Sequence, residues 1–148
     1  MCKRITMENE QLNFSEFLHI QAFNMGINAI KIVKERKLRR IGIRIRLDDK
    51  LVFQYLMDGK NEDNYLKGKE NVVIKTGKSS MFVYEHQDDY QDLLNDSSYC
   101  VSGGALPIVI QNEIRGSISI SGMTQELDHS LAQEVLENAF HKTFIYFE

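Results

Sequence analysis

Residues 101–122 read VSGGALPIVIQNEIRGSISISG, a segment that places two strands and a turn in succession. Two glycines and the only proline of the chain lead into an apolar run, 106–111, with strand character. Pro107 has no backbone N–H to donate, which suits it to the start of a strand. Residues 114–121 form a second strand, so the pair reads as a hairpin. Side chains alternate along a strand, so Ile118 and Ile120 take one face and Ser117, Ser119 and Ser121 the other. A stripe of serines is small and polar. It suits either a helix packed close against the sheet or a pocket wall that offers hydroxyls to a ligand. Gly103 and Gly104 can take positive φ and let a neighbour approach, and their amides could form an anion-binding nest.

Residues 41–47 (IGIRIRL) alternate strictly, and 51–57 follow the turn Asp48-Asp49-Lys50, giving another hairpin. Arg44 and Arg46 share one face of their strand, where they could clamp a carboxylate or phosphate or form a salt-bridged sheet face. Asn13-Phe14-Ser15-Glu16 has the form of a capping box, and the apolar spacing behind it predicts a helix over 14–37. That helix closes in KERKLRR, either a solvated cationic end or a surface for an anionic partner. Helices are also expected from about residue 63 through Val73, over 80–94, and after Thr124 or Asp128, the last with the stripe Leu127, Leu131, Val135, Ala139, Phe140 and Phe144. Hairpins imply an antiparallel sheet, and amphipathic helices must cover its faces. The expected fold is therefore α+β: a three-layer α/β/α sandwich around a mainly antiparallel sheet of about five strands, profilin-like or PAS-like.

The chain has 148 residues, enough for one domain, and shows no repeat or low-complexity linker. Residues 1–12 are expected to be a flexible terminus. A net charge of −3 gives no general attraction to nucleic acid or to an anionic membrane. No apolar run approaches the roughly 18 residues needed to span a bilayer. The two cysteines, Cys2 and Cys100, form no C-x-x-C pair, and no signal peptide is evident, so a cytoplasmic location is expected.

The four histidines, His19, His86, His129 and His141, have no metal-ligand spacing, so no metal site is expected. His129 stands beside Asp128 just after the serine strand and is the best placed for a site, or is a structural residue. Asp128 is also explained as a helix cap. No G-x-S-x-G elbow, P-loop or G-x-G-x-x-G is present. The aromatic tail at 140–147 suits core closure or a subunit contact.

Taken together, SGGALPIVI and GSISISGMTQELDHSLAQEVL resemble the C-terminal half of the GlcG/HbpS-like haem-degrading-domain family. LVFQYLMDGKNEDNYLKGKENVV and SGMTQELDH are similar to the branch called uncharacterised protein family 0303. Tyr65 stands where that branch tends to have tryptophan, Gly68 where a basic residue is usual, and Leu106 where phenylalanine or isoleucine is common. The resemblance covers about residues 14–140. It implies a profilin-like fold, homo-oligomers and, in the better-known members, binding of haem or a related molecule. Carried over, it points to Asp63, Lys69, Asn71, Gly103, Gly104, Pro107, Ser121, Gly122, Asp128 and His129. With Ser119 from the serine stripe, His129, Asp128, Ser121, Gly103, Gly104, Lys69 and Asp63 make up the candidate ligand site. The expected function is a cytoplasmic homo-oligomer that binds a small planar or anionic ligand, with haem as the cofactor the resemblance implies. A non-catalytic interaction scaffold, using the 34–40 basic run and the aromatic tail, is the alternative. An enzyme pairing His129 with Asp128, Glu126 or Asp63 is the third reading.

Overall fold

A computed structural model describes residues 12–61 and 64–141. In chain order these residues form β1 (Asn13–Phe14), α1 (His19–Glu35), β2 (Gly42–Leu47), β3 (Lys50–Leu56), α2 (Asn64–Thr76), α3 (Ser80–Glu85), α4 (Gln91–Leu94), β4 (Ala105–Ile110), β5 (Glu113–Ser121) and α5 (Gln125–His141). The strands make one sheet in the order β1-β4-β5-β2-β3, antiparallel except for the short β1–β4 pair. This is the expected α+β sandwich with a mostly antiparallel sheet of five strands.

The alternation of β2 and β5 divides the two layers. Ile43, Ile45, Ile118 and Ile120 face α1 and α5 and are fully buried among Met25, Ala29, Leu131 and Val135. The opposite face carries Arg44, Arg46, Ser117 and Ser119, and α2 lies over it. Each Arg–Ser pair sits side by side in register: Arg44 with Ser119 and Arg46 with Ser117. The arginines do clamp a carboxylate, and it is internal. Glu70 of α2 accepts from Arg44 Nε at 2.8 Å and from Arg46 Nη1 at 3.2 Å, while Arg44 Nη1 also donates to Gln54. The serines leave room for these long side chains and for α2.

That packing answers the question posed by the serine stripe over most of its length. The hydroxyls of Ser117 and Ser119 are completely buried with no hydrogen-bond partner among the described residues. A buried hydroxyl without a partner carries a desolvation penalty. Ser119→Ala is therefore expected to leave stability unchanged or to raise it by up to about 1 kcal/mol, measured as the midpoint and slope of urea unfolding. A clear loss of stability would mean that the hydroxyl holds a partner in solution.

The first helix begins later than its spacing suggests. Asn13 and Phe14 form an edge strand instead of a capping box, because the β4–β5 turn captures them. The Asn112 amide donates to Asn13 Oδ1 at 2.8 Å, Asn13 Nδ2 donates to Asn112 Oδ1 at 2.8 Å, and the Gln111 amide donates to Phe14 O at 2.8 Å. Gln111 and Asn112 both have positive φ, as a tight two-residue hairpin turn requires. The helix then starts at His19, where Gln21 Oε1 accepts from the Leu18 amide. The expected helix over 80–94 is broken into α3, a 3-10 turn at Gln87–Asp89, and α4. At the start of α5 the Leu127 amide donates to Thr124 Oγ1, so Thr124 is the cap. Leu127 itself is exposed, whereas Leu131 and Val135 are buried. Pro107 precedes the two residues of β4 that β1 pairs, Val109 and Ile110, so no ladder bond to β1 is lost there. Cys2 and the aromatic residues beyond His141 lie outside the described residues.

Candidate functional site

At the end of the sheet where β2 begins and β5 finishes, Gly42 pairs with Ser121. A cleft of about 500 Å³ opens there between the two strand ends, α2 and the start of α5. Its volume is in the range of small-molecule sites, roughly 300–1,000 Å³. Lys69 and Asp128 are in its wall, as are Ser121, Ser102 and Gly122.

Lys69 is the central group. It rises from α2, and its side chain is only 4% exposed. Its Nζ donates to Ile120 O at 3.0 Å and to Asp128 Oδ2 at 3.3 Å. An ammonium has three N–H donors. The third has no acceptor among the described residues, and the group borders the cleft. Gly104 makes the arrangement possible. It has φ +138°, and a Cβ there would stand 2.4 Å from Ile120 O and 2.8 Å from Lys69 Nζ. The glycine thus leaves space for the ammonium as well as taking a backbone conformation that other residues rarely adopt.

Asp128 is nine-tenths and more buried on the first turns of α5. Burial pushes its carboxyl above the ordinary aspartate range. The Lys69 ammonium and the amides of Met123 and Gly122 pull it part of the way back. The Met123 amide donates to Asp128 Oδ1 at 3.1 Å, so each carboxylate oxygen has its own donor. Such a carboxylate fixes the lysine in place.

Two further cations line the cleft, Arg39 and Lys60. Among the described residues their side chains have no hydrogen bond or ion pair, and Asp128 is the one carboxylate in the wall. Leu56, Tyr65 and Met123 add apolar surface, and Cys100 a half-buried thiol. The cleft therefore suits a small molecule with an acidic group and some apolar body.

The sequence candidates divide clearly. Lys69, Asp128, Ser121 and Gly104 come together. Ser119 is sealed beneath α2 and is not in the wall. Gly103 is committed to packing: its amide donates to Gln125 Oε1 at 2.9 Å, and a Cβ would meet Met81 and the Gln125 carbonyl. With that amide in use, Gly103 and Gly104 do not form the suggested nest. His129 follows Asp128 on α5 and is half-buried, but it does not line the cleft. Asn71 donates to Ser98 O and braces a loop. Asp63 lies outside the described residues. Sequence reasoning did not single out Arg39, Lys60, Gly42 or Cys100 for this site. Arg39 was legible only as part of a basic run; Gly42, a glycine inside an alternating strand, was a signal of close approach.

The molecule is a five-stranded sheet between helical layers, with a cationic cleft at one end of its central strands. Among known proteins, the family described as haem degrading protein HbpS-like matches residues 17–137. A UPF0303 protein of Sinorhizobium medicae is 32% identical, over 90% of this chain and 87% of its own length. One from Serratia proteamaculans is 33% identical, over 89% and 87%. The chain belongs to the HbpS-like haem-degrading protein family, with UPF0303 proteins as its relatives. Solved structures share the fold. Ybr137w matches with a TM-score of 0.80 at 23% identity, over 88% of this chain and 84% of that one. HbpS matches at 0.72 and 11%, over 91% and 96%. A PduOC:heme complex matches at 0.71 and 13%, over 86% and 96%. No helix among the described residues is long and apolar enough to cross a membrane.

Proposed function

We propose that this protein binds a small ligand in the cleft by an acidic group placed on Lys69. The observation that supports the reading is the buried ammonium itself, held by Ile120 O and Asp128, with one donor at the cleft that has no acceptor among the described residues. A hydrogen bond between a cation and an anion is roughly twice as strong as a neutral one, and a site shielded from water strengthens it further.

Family membership and the haem-bound fold neighbour make haem the first planar anion to test. The wall fits its carboxylates, which Lys69, Lys60 and Arg39 would pair. It offers Tyr65, Cys100 and Met123 as oxygen or sulfur donors to iron, and no histidine. When bound, haem would supply a redox-active iron; the chain's own residues would hold and orient the porphyrin. Assembly into homo-oligomers is part of the reading. It draws on the long edge strand β3, on which Leu51 and Tyr55 are exposed.

Titration with haemin, followed in the Soret band, tests this. Saturable binding is expected, weakened about tenfold or more in Lys69→Met, as for the loss of a charged hydrogen bond. Circular dichroism checks that the variant is folded. His129→Ala should bind as the parent does. Unsaturable binding, or loss in His129→Ala with Lys69→Met unaffected, would remove haem from this cleft.

A further inference from the structure

The inference rests on the anion-binding reading and concerns what kind of anion the cleft selects. Lys69 is neutralised in part by Asp128 at 3.3 Å, so the anchor alone asks for one acidic group at most. Arg39 and Lys60 lie in the same wall with no side-chain partner among the described residues. Lys60 reaches close to the strand end, its Cε standing 3.3 Å from where a Cβ of Gly122 would be. Three cations therefore surround a cavity whose single lining carboxylate among the described residues is already bonded to one of them. Like charges gathered around one concave surface repel one another and raise the local concentration of anions. The cations also differ in depth. Lys69 is buried at the floor, Lys60 is half-buried, and Arg39 is exposed at the mouth.

We propose that the cleft takes an organic dianion with two separate acidic groups. One sits on Lys69 at the floor and the other between Lys60 and Arg39 at the mouth. Asp128 acts as a positioning residue that keeps Lys69 aimed inward. Arg39 supplies a planar fork suited to a carboxylate or phosphate, and Lys60 a point charge. Leu56, Tyr65 and Met123 lie along the same cavity and would face the carbon chain that joins the two groups. A monoanion of the same length would occupy the floor and leave the mouth cations without a partner.

Calorimetric titration with the dicarboxylates from malonate to adipate, each beside the monocarboxylate of equal carbon number, tests the proposal. The best dicarboxylate should bind about tenfold or more tightly than its monoacid, as one further charge-assisted contact allows. In the Arg39→Gln/Lys60→Gln double variant the dicarboxylate should fall to the monoacid's affinity. The monoacid should lose less than the dicarboxylate, because for it the two substitutions remove only the general attraction of the cleft. Equal binding of both acids by the parent protein overturns two-point recognition and leaves the Lys69 anchor standing. Equal weakening of both acids in the double variant does the same, since it reports only general attraction. No binding of either acid by folded protein overturns the dianion proposal; if haemin also fails to bind, the anion reading falls with it.

Discussion

Glu70→Ala is expected to cost about 3–5 kcal/mol of folding stability, the penalty for removing one partner of a buried ion pair. Glu70 is 1% exposed and holds two arginines at once. Without it, Arg44 would be left buried with Gln54 as its only side-chain partner among the described residues. Arg46 is less affected, because it is partly exposed and reaches Asp49 at 3.5 Å. The loss would fall on the contact between α2 and the sheet, which is also the contact that positions Lys69. Urea unfolding followed by circular dichroism measures the cost, and Glu70→Gln should lie between parent and alanine variant. Replacing the pair together, as Arg44→Met/Glu70→Leu, should recover most of the stability, since a buried ion pair is often no better than apolar groups of similar size. A loss below about 1 kcal/mol for Glu70→Ala would show that the pair behaves like an exposed one.

Lys69→Met should cost about 3 kcal/mol near neutral pH, again by leaving a buried charge uncompensated, and the cost should depend on pH. In the parent, burial already raises the Asp128 carboxyl above its ordinary value. The folded state then binds the Asp128 proton more tightly than the unfolded state does. The resulting stability is fully present below the unfolded pKa, about 3.9, and is lost as pH rises through the folded one. Removing the Lys69 ammonium takes away an interaction that lowers this pKa, so the loss extends further up the pH scale. The gap between parent and variant is therefore expected to be small at about pH 4 and large at about pH 8. Denaturant titrations of both proteins at the two pH values check this. A gap of the same size at both would mean that the lysine acts through packing alone.

The local signals in the sequence served the sheet well. Strict alternation in 41–47 and 114–121 identified both the strands and the faces, because a period of two leaves no freedom in which side chains meet the core. The pairing of Arg44 and Arg46 with a carboxylate was also legible as a possibility. The identity of that carboxylate, Glu70, was not, because it depends on how α2 is laid across the sheet. β1 was hidden for the same reason. Asn13 satisfies a local capping pattern, yet its hydrogen bonds go to Asn112, 99 residues away. In the site, Lys69, Asp128 and Gly104 were drawn from family motifs, and in this chain they meet: the glycine clears the space in which the ammonium reaches the carboxylate. Lys60 and Arg39 carried no signal of their own. A surface cation becomes part of a cleft only through the three-dimensional path of the chain.

The seam between β2 and β5 has a consequence for how the molecule comes apart. Each hairpin forms from neighbouring residues, but Gly42 and Ser121 meet only when the two halves of the chain join. The cleft opens at the end of that seam, with Gly42 from one half, Ser121 and Gly122 from the other, and Lys69 from the segment between. An occupant would therefore act as a rivet across the join. By mass action it would stabilise the assembled chain and not its separate halves. Because the rivet can be set only after the halves have met, it would slow their parting far more than it would hasten their meeting.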